Sequence, residues 1–196
     1  MNANGSNGSN GSNGTNGTQA VVAFANEPAR RHTEKKHTIS LYVSNKPGVL
    51  IRISLVFARR GYNIDSLVVS ETTDPTFSMM NIVATGDQKV LHQILKQLNK
   101  LVDVVHATDR TDDDVLQREL ALIKIHCDPE ARKDVLQIAH ALECEPLDVS
   151  ENSLILQITG DSERLDSANR VFERYGVQEM MRTGKLLMAR GDETTA

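Results

Sequence analysis

The sequence predicts an α+β fold in which the element order βαββαβ occurs twice. Residues 37–44 alternate between apolar and polar side chains, which is typical of a half-buried strand. After a Pro-Gly pair, the apolar residues of the next stretch recur at helical spacing. The same succession of strand-like and helix-like patterns returns over residues 119–191. Two similar layouts in one chain support each other, and each layout predicts a ferredoxin-like repeat.

The first predicted repeat covers residues 36–110. Its first strand places Ile39, Leu41 and Val43 on one face and Thr38, Ser40 and Tyr42 on the other. Gly61 is suited to cap the first helix at its C-terminus. The inner face of that helix is predicted to carry Val49, Leu50, Ile53, Val56 and Phe57. The later strands are predicted over 62–73, 76–85 and 101–109, with a turn at Asp74-Pro75 and a second helix opening at Gly86-Asp87.

The second predicted repeat covers residues 119–191. Residues 111–118, which include Asp112, Asp113 and Asp114, are predicted to form a linker before it. Its elements are a strand over 119–127, a helix starting at Pro129, strands over 145–151 and 153–160, a helix over 162–176 and an interrupted strand over 177–190. Residues 192–196 are predicted to be a flexible end.

The first 35 residues have a different composition. Residues 1–19 consist of Asn-Gly-Ser and Asn-Gly-Thr repeats, and chain of this kind has nothing to bury, while the stretch ends in the polar run RRHTEKK. This stretch is predicted to be a disordered tail. It has no basic n-region followed by an apolar stretch, so it is not typical of a secretory signal.

Composition disfavours several classes of function. The 22 basic and 26 acidic residues are mixed along the chain, for a net charge of −4, so nucleic acid is not an expected partner. No apolar run approaches the ~20 residues of a membrane helix. Cys127 and Cys144 are too few for a disulfide framework, and the six histidines lack metal-ligand spacing. No catalytic or phosphate-binding motif is present, so neither catalytic residues nor a metal site are predicted.

The turn Asn45-Lys46-Pro47-Gly48 is the candidate binding site. Gly48 can adopt φ > 0, and the N–H groups at a helix start attract a carboxylate. An amino acid could place its carboxylate on the N–H groups of Gly48, Val49 and Leu50 and its ammonium near the Asn45 carbonyl. The alternative is an ordinary β-to-α turn in which Pro and Gly serve only as turn residues. The equivalent turn of the second repeat, residues 126–130, lacks Gly and adds Asp128 and Glu130, so it is not expected to bind a carboxylate.

Several longer motifs carry a family resemblance. The runs RGYNIDSL, DPTFSMM and KQLNKLVDV closely resemble the small, regulatory subunit of acetolactate synthase (acetohydroxyacid synthase), and in particular its ACT domain. Most of the matching residues lie within residues 37–110. The resemblance continues more weakly to residue 190 through RELALIKI and LLMARGD.

This resemblance implies a regulatory role in the biosynthesis of valine, leucine and isoleucine. Members of the family have no active site of their own; they bind and activate a large catalytic subunit and make it sensitive to valine. The resemblance places thiamine diphosphate and Mg²⁺, with FAD as an optional third group, on that large subunit and none in this chain. It also implies a bacterial cytoplasmic protein, with a plastid as the alternative compartment.

The family's ACT domains pair, and the amino acid lies at the interface of the pair. Carried over to this sequence, Asn45, Gly48, Val49 and Leu50 of one chain and Asn63 and Ile64 of the other would contact valine or a related branched-chain amino acid. The alternative function is a free-standing ACT-domain sensor that regulates another enzyme or a transcription factor. An independent enzyme on the same scaffold is disfavoured because no acid/base cluster is apparent.

Overall fold

Two antiparallel sheets, each with two helices on one face, follow one another in the computed structural model, which describes residues 35–195. The first sheet has the strand order β2-β3-β1-β4. The first repeat consists of β1 (Lys35–Ser44), α1 (Val49–Ala58), β2 (Asn63–Glu71), β3 (Phe77–Gly86), α2 (Gln88–Leu98) and β4 (Val104–Asp109).

The second repeat has the same arrangement. Its strand order is β6-β7-β5-β8, and a short additional strand, β9, pairs with the start of β5. The elements are β5 (Leu116–His126), α3 (Arg132–Ala141), β6 (Glu145–Val149), β7 (Ser153–Gly160), α4 (Ser162–Glu173), β8 (Val177–Arg182) and β9 (Leu186–Met188). The predicted fold class of two ferredoxin-like βαββαβ repeats is therefore confirmed. Strands β8 and β9 also confirm the interrupted strand predicted over 177–190.

Each repeat has its own apolar core between its sheet and its helices. The first is centred on Phe57 and the second on Phe172, and both rings are fully buried. Burying a side chain of this size stabilises the fold by roughly 1.5–3 kcal/mol. The predicted inner faces supply most of these positions because the apolar periods of 2 and 3.6 residues match the strands and helices.

Helix α1 ends as its glycine predicts. Gly61 has φ +68°, its N–H donates to the Ala58 carbonyl at 3.1 Å, and the Tyr62 N–H donates to the Phe57 carbonyl at 3.2 Å. These two bonds form a Schellman motif. Helix α3 ends with the same pair of bonds, but Glu143, with φ +53°, stands where α1 has glycine.

The structure corrects four details of the sequence prediction. Strand β5 begins at Leu116, inside the predicted linker, because residues 116–118 pair with β9. Helix α3 begins at Arg132, three residues after Pro129. Leu50 is 41% exposed and does not join the core. Within the end predicted to be flexible, the carbonyls of residues 194 and 195 accept hydrogen bonds from Arg110 at 3.0 Å. Lys35 already lies in β1, whereas the rest of the predicted tail, residues 1–34, lies outside the described residues.

A further correction concerns the face of the first sheet that points away from its helices. Thr38 and Ser40 lie on this face, which the pattern of a half-buried strand predicts to be open to solvent, but they are 3% and 0% exposed. Gly184, between β8 and β9, lies against the same face, since a Cβ there would be 3.0 Å from the Ser66 Cβ and 3.2 Å from the Val68 Cγ2. We call residues 183–195 the C-terminal segment. Its Gly184 covers part of this face at β2, and the burial of Thr38 and Ser40 shows that β1 is buried on both sides.

Tyr62 fills the space between the end of α1 and the start of α2. Its ring is 8% exposed, its hydroxyl donates to the Asp87 carbonyl, and a Cβ added to Gly86 would lie closer than 3.0 Å to the ring. Gly86 is therefore required by packing and not by its backbone angles.

We expect Gly86→Ala to lower the free energy of unfolding by about 1–3 kcal/mol, because the enclosed ring must shift to admit the methyl group. Urea unfolding of the full chain measures this loss. In a Tyr62→Ala background the same substitution should cost much less, since the ring is absent. Strictly additive losses in the double variant would contradict the steric explanation.

The two cysteines are buried as free thiols in the core of the second repeat. Burial raises the pKa of both the Cys127 and the Cys144 thiol, and a nearby arginine only partly offsets this effect in each case. The thiolate, which is the reactive form, is therefore scarce near neutral pH.

We expect iodoacetamide at pH 7.5 to label both thiols at least about tenfold more slowly in the native chain than in urea. Mass spectrometry of the labelled peptides measures each rate separately. Rapid labelling of either thiol in the native chain would show that its surroundings open readily.

Candidate functional site

The turn between β1 and α1 has the backbone geometry of an anion site. Gly48 has φ +83° and ψ −7°, a left-handed conformation that favours glycine. In the part of the chain that the structure describes, the N–H groups of Gly48, Leu50 and Ile51 have no protein acceptor, and the Val49 N–H has only a long bond of 3.4 Å to the Lys46 carbonyl. The start of α1 also has no side-chain cap and no acidic residue in its first turn. These donors are available to a carboxylate.

Arg52 adds a positive charge beside this turn. A Cβ on Gly48 would lie 3.2 Å from Arg52 Nη1, so the guanidinium reaches the glycine itself. The same guanidinium is held by Asp103, with Nε donating to Oδ2 at 2.8 Å and Nη2 lying 2.7 Å from the same oxygen. Arg52 is not among the ligand contacts that the sequence predicts. Its available signal was that Arg52 is the only charged residue in the α1 sequence VLIRISLVFA.

Asn45 is held away from the helix start. Its side-chain amide donates to the Pro75 carbonyl at 3.0 Å and to Glu71 Oε2 at 3.2 Å, and its backbone N–H donates to Thr76 at 2.8 Å. These bonds tie the turn to the end of β2 and to the β2–β3 loop. Asn45 therefore positions the turn, and its backbone carbonyl is the group left for an ammonium.

Val49 and Leu50, which are also predicted to contact the ligand near this turn, differ in how far their side chains are exposed. Val49 is 4% exposed and its side chain belongs to the first core, so it can offer a ligand only its backbone N–H. Leu50 is 41% exposed and can offer both its N–H and its side chain.

Asn63 and Ile64 lie at the opposite end of the sheet. Asn63 pairs with Thr85, which also pairs with Lys36 near the start of β1, whereas Ser44 at the end of β1 pairs with Phe77. Eight residues of strand correspond to about 27 Å. One amino acid therefore cannot touch both groups within a single chain.

The equivalent turn of the second repeat caps its own helix. Asp128 Oδ1 accepts the Ala131 N–H at 2.8 Å, so a carboxylate of the chain already occupies the place that is open at Gly48. This difference agrees with the prediction that only the first turn suits an anionic ligand.

Helix α1 differs from the three other described helices because it exposes large apolar side chains. Its exposed surface carries an apolar ridge formed by Leu50, Ile51 and Leu55, which are 41%, 66% and 45% exposed. On α2, by contrast, the exposed positions are polar, as the run Lys89, His92, Gln93 and Lys96 shows. The ridge begins at the turn and lies on the half of the repeat next to β2, an edge strand of the first sheet.

Residues 35–195 contain neither a cluster of metal ligands nor a membrane-spanning helix. No group of three or more His, Cys, Asp or Glu side chains is placed to hold a metal ion. None of the described helices is long and apolar enough to cross a bilayer.

A doubled ferredoxin-like fold, with an uncapped glycine turn at the start of its first helix, is typical of ACT-domain proteins. Comparison with known proteins narrows this class. Residues 39–106 match the family described as AHAS small subunit-like ACT domain, and residues 118–191 match the family described as small subunit of acetolactate synthase.

Individual relatives agree with these matches. A probable acetolactate synthase small subunit of Archaeoglobus fulgidus is 42% identical over 158 residues, which cover 81% of this chain and 99% of the relative. The chloroplastic acetolactate synthase small subunit 2 of Arabidopsis thaliana is 39% identical over 156 residues, or 80% of this chain and 32% of that protein. The crystal structure of the Thermotoga maritima small subunit superposes with a TM-score of 0.71 at 35% identity, covering 81% of this chain and 99% of that one. The chain belongs to the acetolactate synthase small-subunit family.

Proposed function

We propose that this chain activates the large catalytic subunit of acetolactate synthase and makes it subject to feedback inhibition by valine bound at the interface of two ACT domains. The observation that carries this proposal is the turn at Gly48. There, unpaired N–H groups and the Arg52 guanidinium meet beside an exposed leucine, Leu50. This combination suits an α-carboxylate joined to a small apolar side chain.

The proposed pairing of two chains would use β2, an edge strand of the first sheet. Glu71, at the end of β2, lies beside the turn because it accepts a hydrogen bond from Asn45. If two β2 strands pair antiparallel about Leu67, Asn63 of the partner subunit comes opposite Glu71. The partner's Asn63 and Ile64 would then lie close to the Gly48 turn. Within one chain, Asn63 and Ile64 are too far from this turn to reach it. Pairing of this kind also removes the exposed edge of the sheet.

The apolar ridge on α1 supports the same pairing. Leu50, Ile51 and Leu55 begin at the turn and lie on the β2 half of the repeat, so a partner joined through β2 would cover them. An amino acid bound between the two chains would then contact both. Its occupancy can therefore bias how the two domains pack, to the extent that it binds one arrangement better than the other.

The chemistry of the enzyme is proposed to lie on the other subunit. This chain would hold no cofactor, and the large subunit would hold thiamine diphosphate and Mg²⁺, with FAD as an optional third group. The proposed compartment is the bacterial cytoplasm. Because one relative is named as chloroplastic, a plastid is the alternative compartment.

Reconstitution tests the function directly. The full chain is mixed with a purified acetolactate synthase large subunit, and acetolactate formation is measured with and without valine. We expect the chain to raise the activity of the large subunit and to make it fall as valine is added. An activity unaffected by the chain would overturn the proposal. If the chain binds valine but leaves the large subunit unaffected, a free-standing sensor of another enzyme becomes the better description.

A further inference from the structure

The second repeat contains a cavity of about 350 Å³ between the end of α3 and the first turns of α4. Its apolar lining consists of Ala141, Leu142, Ile158 and Ala168. Its polar lining consists of Glu143, Arg164 and Ser167. The volume lies in the usual range for sites that bind small molecules, and the mixture of an apolar surface with a few polar groups is typical of them.

The first repeat has larger side chains than the second at two equivalent positions near this cavity. The shared Schellman motifs align Tyr62 with Cys144, and Tyr62 fills the corresponding corner of the first repeat with its ring. The shared aspartate caps of α2 and α4 also align Ile94 with Ala168. Both changes replace a large side chain with a small one at the junction of the two helices.

Arg164 is held in this space by specific contacts. Gly160 makes room for its stem, since a Cβ there would lie 2.6 Å from Arg164 Cδ. Its Nη2 donates to Glu143 Oε2 at 2.6 Å and to the Leu142 carbonyl at 3.1 Å. Its Nε and Nη1 have no partner among the residues that the structure describes. The guanidinium therefore keeps donors free for a carboxylate.

Glu143 has an unfavourable backbone conformation at the same place. Within residues 35–195 it is the only residue other than glycine with positive φ, at +53°, and the equivalent position in the first repeat is Gly61. Strain of this kind often occurs at binding sites. The hydrogen bond from Arg164 lowers the pKa of Glu143, so the carboxylate is ionised at neutral pH. Its Oε1 has no partner within the described part of the chain and can accept from a cation.

We propose that this cavity is a second effector site, which binds a small α-amino acid with an apolar side chain. The ligand's carboxylate binds Arg164, its ammonium binds Glu143, and its side chain lies on the surface formed by Leu142, Ile158 and Ala168. This site is separate from the turn at Gly48, and the proposal does not depend on whether that turn binds valine.

Calorimetric titration of the full-length Gly48→Asp variant with L-leucine isolates the second site. We expect saturable binding that survives this substitution and weakens at least tenfold when Arg164→Gln is added. Arg174→Gln is the matched control, because it removes the same charge from the end of the same helix, about 15 Å away. It should leave binding unchanged. No saturable binding to Gly48→Asp, or equal binding to all three variants, would overturn the proposal.

The role of Glu143 is tested with the 2-oxo analogue 4-methyl-2-oxopentanoate, which lacks the ammonium group. Glu143→Gln keeps the size of the side chain and should weaken L-leucine at least fivefold without weakening the analogue. Both compounds are titrated into the Gly48→Asp chain, in which the turn is blocked, and equal binding of both compounds to this chain would overturn the assignment of an amino acid.

The titrations also distinguish a wrong assignment of the turn from a wrong assignment of the cavity. If only the turn at Gly48 fails, the unchanged chain and Gly48→Asp titrate alike and both respond to Arg164→Gln. If only the cavity fails, Gly48→Asp alone abolishes binding.

Discussion

Gly48→Asp is expected to abolish the response to valine while the chain stays folded. The new carboxylate would lie beside Arg52 and the unpaired N–H groups of α1, because a Cβ on Gly48 is already 3.2 Å from the guanidinium. It would occupy the place of the ligand's carboxylate and repel it. Inhibition of the reconstituted enzyme by valine measures the loss, and calorimetric titration of the chain with valine should lose only the binding that the turn contributes.

Gly48→Asn is the matched control for this experiment. Asparagine has nearly the same size as aspartate and, like it, tolerates φ +83° better than most residues. Both variants should lose about 1–2 kcal/mol of stability to backbone strain. Only the aspartate places a negative charge in the site, so asparagine should retain a clearly larger share of the response to valine. Equal binding of valine by the aspartate variant and the unchanged chain would show that the turn is not the effector site.

Gly184→Ala is expected to weaken the transmission of valine binding to the enzyme. Gly184 lies against Ser66 and Val68 of β2, and β2 begins with Asn63 and Ile64, the residues proposed to contact valine across the interface. The C-terminal segment thus contacts the strand that carries the residues proposed to bind valine across the interface. A methyl group at residue 184 would lie 3.0 Å from the Ser66 Cβ and would displace either the segment or the strand.

Inhibition of the reconstituted enzyme and valine binding by the chain alone are measured in parallel. We expect inhibition to require about fivefold more valine, in keeping with ordinary coupling energies, while the affinity of the isolated chain changes little. Gly191→Ala is the control, because Gly191 also has positive φ but a Cβ there would meet nothing within 4 Å. Gly191→Ala therefore introduces similar backbone strain but no contact with β2. If both alanine variants behave alike, the contact with β2 does not transmit the signal.

The agreement between prediction and structure is greatest where the pattern is local. The alternation of Ile39, Leu41 and Val43 predicts β1, since a strand places every second side chain on the same face. The helical spacing of Ile53 and Phe57 predicts α1, and the glycine at 61 marks its end because it can adopt positive φ. Gly48 is recognised as unusual for the same reason. Each of these signals spans only a few residues.

The missed features depend on residues far apart in the sequence. Thr38 and Ser40 look like exposed positions of a half-buried strand, yet the face that carries them is buried and the C-terminal segment lies against part of it. Leu50 fits the helical period but lies at the edge of the buried stripe of α1. Glu143 adopts the conformation of Gly61 without being glycine, so composition gives no sign of it.

The order of the elements, the two repeats, the family and the unusual glycine turn can be read from the sequence, because these depend on short-range periodicity and on residue type. The folded chain is needed to see that Arg52 lies beside Gly48, that Asn63 is about 27 Å from that turn within one chain, and that the C-terminal segment contacts β2. The physical reason is that side-chain approach and burial depend on which distant segments pack together, and the local pattern of apolar residues contains no record of that packing.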